Sequence, residues 1–585
     1  MPVEPKGAAR ATLPRRERGP IAVAIVVDQL AAWVLRDRID RLPSDGGFAR
    51  LRREGKYFKE MAFAHATTLT APGHASLFTG KLPREHGIVA NDELGPDGKT
   101  INALAGNGEQ DKIVTLDGHA VEGQGSSLDK LEAPSSLVAS VFRSRYPKGQ
   151  GIVAALSLKD RGALFAAGQS ADYTVWFEST LMGEGGGRKE RGGFVTSKRY
   201  ESTLSRSNLA GWLGRYLQTD AEDRRDGVHR IEDQTWVGLD PTWLRENAGA
   251  ADGGDYAGFV AAHNASQAAK PGAAFRALPA SDRLLLEMAI KILKTEPKEL
   301  PVFLGLSLSA NDMIGHLFGP DSWEAWDGLR RLDGALAWFW KELDALAPGG
   351  WSVVLSSDHG VPPMEDTLKH PRCDRKLKVA LDTGKPCAGE SANGARIMPE
   401  DFLRAAEVAA GKAGLRDAAG SSIDKIVVGL EPPYLYLTDA AKKAIAHDAS
   451  ARRRLASRFD SGLRAKFKSL QGVFDVALFR EAAACPDERK EQIAALVCNS
   501  ISPTPDRGGD FYVVLKPGAF FDPELVKGMG TSHGSPYGYD RFVPLLVRDP
   551  GRPELAGQVE EQRVPFTQFR SELVRIILGA PSLAR

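Results

Sequence analysis

Long apolar segments and a charge imbalance are both missing from this chain of 585 residues. No run reaches the roughly 18 to 20 apolar residues that a membrane-spanning helix needs, so we expect no membrane span. The formal net charge is only +1, which excludes the broad electrostatic attraction that favours nucleic acid or an anionic membrane as a partner. We therefore expect no nucleic-acid-binding domain. The hydrophobic fraction of 42% is ordinary for a globular protein.

Cysteine is also scarce, since the chain has only four: Cys373, Cys387, Cys485 and Cys498. Neither sequence-local pair has the short spacing that is typical of a structural zinc knuckle. Two interpretations stay open, because the four can be free thiols of a cytosolic protein or form disulfides in several pairings. We favour two disulfides between sequence neighbours. These indicate an oxidising compartment, so we expect a periplasmic or secreted protein.

A signal peptide is the next feature that the sequence lacks. A basic segment precedes the apolar run Ile21–Val27, as it would in a signal peptide. However, the run is short, Asp28 interrupts it, and no Ala-x-Ala cleavage site follows. We predict a buried strand here. If the natural protein is exported, its signal peptide is absent from this sequence.

Four apolar runs predict strands that are buried on both faces of a parallel sheet. Each run ends in polar or charged residues. The runs and the residues that follow them are Ile21–Val27 with Asp28, Gly151–Leu158 with Lys159 and Arg161, Val302–Leu308 with Asp312, and Trp351–Leu355 with Asp358 and His359. In open α/β sheets, ligands bind beyond the carboxyl ends of the strands. The four runs therefore predict one shared site.

Helical patterns alternate with these strands. Apolar spacing and proline positions predict helices over Gln29–Val34, Asp282–Lys294, Ser322–Leu346 and Pro565–Leu578. Strands that alternate with helices predict an α/β fold, with a doubly wound, mostly parallel central sheet flanked by helices.

Two polar regions interrupt this pattern. Residues 178–280 are Gly-rich, and we predict that they form a cap-like insertion. Residues 367–510 carry all four cysteines and several charged helices, and we predict that they form a second, flanking insertion. A flexible basic leader is expected over residues 1–18, and the α/β core over 19–585.

The segment Ala66–Asn91, which reads ATTLTAPGHASLFTGKLPREHGIVAN, contains a hydroxyl of special interest. Thr70 stands just before Pro72, and proline is well placed in the first turn of a helix. We therefore predict that Thr70 lies at a helix N-terminus. The unpaired N–H groups and the helix dipole favour an anion there, so this hydroxyl can act as a nucleophile towards phosphate. The alternative is an ordinary Thr N-cap.

Aspartate and histidine residues near the strand ends are candidate metal ligands. Asp312 and His316 are four residues apart, which places both on one face of a helix. The other candidates are Asp28, Asp358, His359 and His533. Taken singly, each is explained as a turn, a cap or a surface residue. Three Asp and three His together suit zinc and suffice for two metal sites that share a nucleophile.

The motifs, in their order along the chain, resemble the alkaline phosphatase superfamily. More closely, they resemble the phosphate-irrepressible, Thr-nucleophile alkaline phosphatases of bacteria. The resemblance rests on DQL at Asp28, TAPGH at Thr70, HGIVAN ending at Asn91, SLKDRG with Lys159 and Arg161, NDMIGHLFGP with Asp312 and His316, SSDHG with Asp358 and His359, and GTSHGSPY with His533. No single motif decides the matter, but the ordered set is highly specific.

The resemblance implies two zinc ions per chain. One zinc ion would bind Asp312, His316 and His533. The other would bind Asp28, Asp358 and His359, with Thr70 as its remaining ligand. The non-bridging phosphate oxygens would be held by Asn91, Lys159 and Arg161. Zinc lowers the pKa of a bound hydroxyl, so Thr70 would attack phosphorus and form a phosphothreonine.

Two cationic side chains match the charge of a monoester dianion better than that of a diester. The sequence therefore predicts an alkaline phosphatase that hydrolyses small-molecule phosphate monoesters and releases inorganic phosphate. A phosphodiesterase or phosphonate monoester hydrolase of the same fold is the alternative, and a non-catalytic metal-binding protein is the third interpretation.

Several features stay unassigned in the sequence. No magnesium ligands can be named, so that ion is not predicted. We interpret His65, His74 and His86 as structural, because the family pattern does not use them as ligands. The oligomeric state stays open, although we favour a monomer.

Overall fold

Most of the chain is described by the structure, which is a computed structural model. The described residues are 19–182, 188–189, 192–216, 235–236, 242–244, 263–264, 270–363, 373–374, 379–380, 396–446, 448–487, 489, 491–522 and 530–579. The predicted leader lies outside them. Within these ranges, no helix combines the length and the apolar composition that crossing a bilayer requires.

A mixed, mostly parallel sheet of eleven strands forms the centre of the protein. In chain order its strands are β1 Ile21–Val27, β2 Lys56–Ala62, β3 Ile113–Thr115, β4 Ile152–Ser157, β5 Tyr173–Glu178, β6 Gly193–Ser197, β7 Val302–Leu308, β8 Trp351–Ser356, β9 Phe542–Arg548, β10 Gln558–Glu560 and β11 Val564–Pro565. Their spatial order is β10–β2–β9–β8–β1–β7–β4–β5–β6–β3, and β11 also pairs with β2. The neighbours from β8 to β5 are parallel, which confirms the predicted α/β fold class.

Strand β1 lies in the middle of this sheet, between β7 and β8. Its Ile25 is paired with Leu306 on one side and with Leu355 on the other. Because side chains alternate along a strand, Ile25 packs into the apolar core on one face and Ala24 into the core on the opposite face. A strand covered on both faces has no solvent side, and this explains its continuous apolar run.

Helices cover both faces of the sheet. Nine of them, in chain order, are α1 Ala32–Arg38, α2 Gly47–Glu54, α3 Thr70–Thr79, α4 Val138–Arg145, α5 Asp160–Ala167, α6 Pro279–Thr295, α7 Ala310–Phe318, α8 Trp323–Leu346 and α9 Thr567–Leu578. Two further helices, Lys198–Ser207 and Leu209–Tyr216, contribute leucines to the same core as α6. Helices α1, α2, α6, α7 and α8 share one core, while α3, α4, α5 and α9 share the other.

The four predicted strands are present, but three predicted helix starts are wrong. The helix predicted from Asp282 begins three residues earlier, at Pro279. Gln29 has a φ of 65°, in the left-handed region that side-chain-bearing residues rarely adopt, so α1 begins only at Ala32. The closing helix is shorter than predicted, because Pro565 pairs with Ala62 of β2 and α9 begins at Thr567. Proline at a strand edge explains the sequence pattern as well as proline in a first helical turn does.

A second, smaller sheet lies largely within the later predicted insertion. Its four antiparallel strands, in spatial order, are Val427–Glu431, Tyr434–Leu437, Phe511–Leu515 and Leu470–Asp475. Helices Pro399–Gly411 and Ala449–Lys466 pack on it around a separate apolar core. In the earlier predicted insertion, β6 belongs to the central sheet. The exact insertion boundaries stay predictions.

One predicted disulfide is present, between Cys485 and Cys498. It joins two residues separated by 13 positions, as the local pairing predicts. The other predicted pair falls outside the described residues, because Cys387 and the side chain of Cys373 are not described there. That second pairing therefore stays a prediction.

Two buried histidines pack beside helix α3. His65 Nε2 and His86 Nε2 lie 3.3 Å and 3.1 Å from Ser76 Oγ. The backbone N–H of Ile88 donates to His86 Nδ1 at 3.1 Å, so this ring is neutral. Burial, with the nearby charge of Arg541, lowers the pKa of His65 to about 3. Burial also lowers the pKa of His86 well below its usual range. Both residues are therefore structural, as interpreted from the sequence.

We expect His65 to make the fold sensitive to acid. Its folded pKa lies below its unfolded value of about 6.5, so its stabilising effect is complete above that pH and is lost as the pH falls towards 3. The substitution His65→Gln should flatten the acid side of the stability curve by up to about 1.4 kcal/mol per pH unit. Urea unfolding of chelator-treated protein between about pH 7 and pH 4 measures this slope. His119→Gln, at an exposed site, is the control, and equal slopes for both variants would contradict the prediction.

Candidate active site

The carboxyl ends of four parallel strands bring their polar residues together at one edge of the sheet. These residues are Asp28 after β1, Lys159 after β4, Asp312 on α7 after β7, and Asp358 after β8. All four are at most 4% exposed. Because neighbouring parallel strands end side by side, distant parts of the chain meet here.

A first group of candidate ligands consists of Asp312, His316 and His533, whose ligand atoms lie within 4.8 Å of one another. His316 Nε2 lies 3.2 Å and His533 Nε2 lies 3.5 Å from Asp312 Oδ1. Asp312 and His316 are one turn apart on α7, and His533 comes from the loop that precedes β9. These are the three residues predicted for one metal site.

A second group consists of Asp28, Asp312 and His359, again within 4.8 Å. The prediction placed Asp358 in this group instead of Asp312. In the structure, Asp358 Oδ2 is 3.6 Å from His359 Nε2 but only 3.1 Å from His74 Nδ1. Asp358 therefore borders the second group, while Asp312 takes part in both groups.

The imidazoles of His316, His359 and His533 have the same hydrogen-bonding pattern. Each ring has Nδ1 at hydrogen-bond distance from a backbone carbonyl oxygen, at 2.9 Å for His316, 2.8 Å for His533 and 3.0 Å for His359. Only a protonated Nδ1 can donate to a carbonyl, so Nε2 carries the free electron pair in a neutral ring. The Nε2 atoms face the carboxylates, as metal ligands would.

Within the described part of the chain, Asp28 Oδ1, Asp358 Oδ2 and His359 Nε2 are buried without a well-aligned hydrogen bond, although His359 Nε2 lies 3.3 Å from Asp28 Oδ1 and His74 Nδ1 lies 3.1 Å from Asp358 Oδ2. Such orphaned atoms are rare in folded proteins. Carboxylate oxygens, and imidazole nitrogens once they lose their proton, donate electron pairs, so this set of atoms can bind a cation. Oxygen and nitrogen donors of these types suit zinc, so the residues present fit the predicted metals.

In this structure the Lys159 ammonium supplies a cation. Its Nζ lies 2.5 Å from Asp28 Oδ2, 2.6 Å from Asp312 Oδ2 and 3.3 Å from Thr70 Oγ1. The sequence placed Lys159 on phosphate oxygens, whereas the structure places it on two predicted metal ligands. Buried carboxylates attract a nearby ammonium strongly, which explains the difference. Burial lowers the pKa of Lys159, but these carboxylates raise it above its ordinary value.

Burial and nearby charges act in opposite directions on the pKa values of Asp312 and His359, but in the same direction on that of His533. Burial raises the pKa of Asp312, but nearby positive charges lower it well below its usual range. Burial lowers the pKa of His359, but neighbouring carboxylates raise it to about 9. For His533, burial and the charge of His359 together lower the pKa to about 3. The ionised Asp312 and the neutral His533 are in the states that metal binding requires, whereas the raised pKa of His359 keeps its ring protonated, so a metal ion would have to displace that proton.

Thr70 begins helix α3, as predicted, and is buried. Asn91 holds the same helix turn, because the backbone N–H of Ala71 donates to Asn91 Oδ1 at 2.7 Å. With Oδ1 engaged, the NH₂ group is the part of Asn91 that can bind an anion. The catalytic role of Thr70 and the phosphate-binding role of Asn91 stay predictions.

Arg161 lies in the first turn of α5. Its Nη1 is 3.4 Å from Asp160 Oδ1, while its Nε is buried and has no hydrogen-bond partner among the described residues. Burial lowers the pKa of Arg161, but Asp160 and Asp92 raise it above its ordinary value. A guanidinium with an unpaired N–H suits an oxyanion such as phosphate.

Gln29 is a site residue that the sequence reasoning missed. Its Nε2 donates to Asp312 Oδ1 at 2.7 Å, and its backbone N–H donates to Asp358 Oδ1 at 3.3 Å. The left-handed backbone at Gln29 allows both contacts. Gly315 makes the room, since a Cβ there would lie 1.8 Å from Gln29 Oε1. The DQL motif contains Gln29, but no pattern marks it as a contact of both carboxylates.

Asp282 was also missed as a neighbour of the site, and His74, which the sequence led us to interpret as structural, contacts Asp358 and the Thr70 carbonyl oxygen there. Besides Asp358, His74 contacts Ser307 Oγ through Nε2 at 2.9 Å. Asp282 holds the start of α7, because the backbone N–H of Ala310 lies 3.2 Å from each of its carboxylate oxygens. An acidic residue near the start of the apolar helix α6 was the available signal for Asp282.

The chain belongs to the family described as Type I phosphodiesterase / nucleotide pyrophosphatase, whose model matches residues 22–535. The resemblance to the alkaline phosphatase superfamily is confirmed by named relatives.

Alkaline phosphatase PhoK of Sphingomonas sp is 27% identical over 553 residues, which cover 90% of this chain and 83% of PhoK. Alkaline phosphatase PhoV of Synechococcus elongatus is 27% identical over 390 residues, so the match spans 63% of the length of each protein. The crystal structure of alkaline phosphatase PafA has the same fold, with a TM-score of 0.64 at 21% identity over 96% of both chains.

We expect Gln29→Ala to weaken metal binding while the fold is kept. The substitution removes the hydrogen bond that orients Asp312, and losing such a support costs about 10- to 100-fold in metal affinity. Competition with a chromophoric chelator measures the zinc affinity directly. Gln150→Ala, at an exposed loop position, is the control. An unchanged affinity in the Gln29 variant would show that Asp312 does not depend on this contact.

Proposed function

We propose that this chain is a zinc-dependent phosphate monoester hydrolase, an alkaline phosphatase that acts through a covalent phosphothreonine at Thr70. The observation that carries the proposal is the position of the Thr70 hydroxyl. It lies 3.3 Å from the same ammonium that binds Asp28 and Asp312. A nucleophile and two carboxylates thus surround one cation-binding position.

Two zinc ions per chain are part of the proposal. The residues that would hold them are Asp312, His316 and His533 for one ion, and Asp28, Asp358, His359 and Thr70 for the other. When bound, the ions supply positive charge that lowers the pKa of the Thr70 hydroxyl and stabilises the departing oxygen. With the carboxylates engaged by metal, the Lys159 ammonium is available to the phosphate oxygens.

The reaction proceeds in two displacements at phosphorus. Thr70 Oγ1 loses its proton and forms a bond to phosphorus, while the bond from phosphorus to the alcohol oxygen breaks. The alcohol leaves after taking up a proton. Water then attacks the same phosphorus, the bond to Thr70 breaks, and inorganic phosphate is released with the hydroxyl restored. The helix α3 N-terminus favours the negative charge that develops beside it.

The preference for monoesters rests on charge. A monoester dianion presents three free oxygens, and the donors available for them are the guanidinium of Arg161, the ammonium of Lys159 and the amide of Asn91. The names of the relatives PhoK and PhoV, both alkaline phosphatases, support this substrate class. We propose small-molecule phosphate monoesters as substrates, for a monomer in the periplasm or outside the cell. The Cys485–Cys498 disulfide supports such a compartment.

A second candidate function is phosphodiester or phosphonate ester hydrolysis. The family description, Type I phosphodiesterase / nucleotide pyrophosphatase, favours it. Both functions would use the same nucleophile and the same metal ligands. The side chains that bind the free phosphate oxygens would therefore decide between monoester and diester hydrolysis.

We expect Arg161→Ala and Lys159→Ala to reduce kcat/KM for an aryl phosphate monoester by about 10- to 100-fold each, because each removes a charge-assisted hydrogen bond. The matching aryl diester should lose at most about 3-fold, since it carries one charge fewer. Both substrates are measured on zinc-loaded protein at mildly alkaline pH. A wild-type preference for the diester, or equal losses on both substrates, would favour the second candidate function.

We expect Thr70→Ala to abolish turnover, with a loss on the order of 10³-fold or more, because no covalent intermediate can form. Thr70→Ser is the matched control and should retain activity through its own hydroxyl. After acid quenching during turnover, mass spectrometry should find phosphate on the peptide that contains Thr70. Full activity of the alanine variant would exclude the phosphothreonine route, and an inactive wild type loaded with zinc would favour a non-catalytic protein.

A further inference from the structure

A cleft of about 430 Å³ connects the candidate active site with the smaller sheet. Asn91, His316 and His533 are among its lining residues, so it reaches the predicted phosphate and metal ligands. Strands Val427–Glu431 and Phe511–Leu515 contribute the smaller sheet's side of the lining. Clefts of this size bind small organic molecules. The cleft is therefore the place where the organic part of a phosphate ester can lie.

The smaller sheet and its loops give the cleft an apolar wall. Its members are Leu430, Pro432, Pro433, Val513, Leu515 and Phe520. Such a wall favours methylene groups over water. It does not by itself distinguish one small alcohol from another.

Two carboxylates stand out among the cleft residues: Asp92, which directly follows Asn91, and Glu431. Within the described part of the chain, no side chain forms an ion pair or hydrogen bond with either of them. By contrast, Asp522 in the same cleft pairs with Arg396 at 3.4 Å. The negative charge of Glu431 is less compensated than that of Asp92, because the positive charge of Arg161 acts on Asp92.

The pKa of Glu431 also indicates that its negative charge is poorly compensated. Burial and the nearby charge of Asp92 raise the pKa of Glu431 to about 7. Both effects act against the negative charge of Glu431. A positive group in the cleft would stabilise both carboxylates, while a second phosphate or a sugar acid there would be repelled.

We propose that this cleft binds the leaving group of amino-alcohol phosphate monoesters, with Glu431 and Asp92 holding the ammonium group and the apolar wall holding the methylene groups. The inference rests on the proposed function and names its substrate class. Glu431 is the residue that determines the preference, because it comes from the smaller sheet and lies outside the reacting groups.

The test compares two substrates of the same chain length, O-phosphoethanolamine, which ends in an ammonium group, and 2-hydroxyethyl phosphate, which ends in a neutral hydroxyl. For the zinc-loaded wild type, kcat/KM should be at least about tenfold higher for the cationic substrate, as expected for one partly buried charge pair. Glu431→Gln should reduce this ratio to about threefold or less while hydrolysis of 2-hydroxyethyl phosphate is kept. Asp92→Asn should reduce the ratio in the same direction. Asp424→Asn removes an exposed charge from the same part of the chain and should leave the ratio unchanged.

A wild-type ratio near one, with both esters hydrolysed, would overturn the inference and leave the proposed function intact. Equal losses of Glu431→Gln on both substrates would also overturn it, because they would show a structural role without charge recognition. Failure of the wild type to hydrolyse any monoester, including an aryl phosphate, would overturn the proposed function and this inference together.

Discussion

The rest of the site depends on one constraint, the buried negative charge at the carboxyl ends of the central strands. Asp28, Asp312 and Asp358 have almost no solvent exposure. Carboxylates removed from water cost several kcal/mol each unless a positive charge compensates them. This edge therefore has to contain a cation, whether an ammonium or a metal. The surrounding contacts, such as Gln29 on two carboxylates, fix where that cation can lie.

The two sheets contribute different parts of the candidate site. The central sheet is rigid and covered on both faces, so the residues beyond its strand ends keep fixed relative positions. The smaller sheet has its own apolar core and contributes a wall of the cleft without contributing a candidate ligand. The proposed chemistry uses residues at the edge of the central sheet, while the proposed substrate preference uses Glu431 of the smaller sheet together with Asp92. The family is described as Type I phosphodiesterase / nucleotide pyrophosphatase, while the relative PhoK is named an alkaline phosphatase.

The sequence predicts the parts of this structure that have a local signal. Continuous apolar runs identify strands such as β1 and β7, and proline near Thr70 identifies the start of α3. Contacts between distant residues have no such signal. The left-handed turn at Gln29 and the pairing of Lys159 with Asp28 depend on neighbours that only the folded chain supplies. For the same reason Glu431, far along the chain from Asn91, could not be connected with the site.

Helix α7 packs closely against the turn at Gln29. The residue that fits at position 315 therefore depends on the residue at position 29. Any side chain at position 315 would occupy the place of the Gln29 amide oxygen, so the amide can only stay where it is beside a glycine. A shorter residue at position 29 would remove this steric conflict, and position 315 could then accept a residue with a Cβ. The two positions are therefore expected to change together during divergence of the family, because Gly315 keeps the room in which Gln29 orients Asp312.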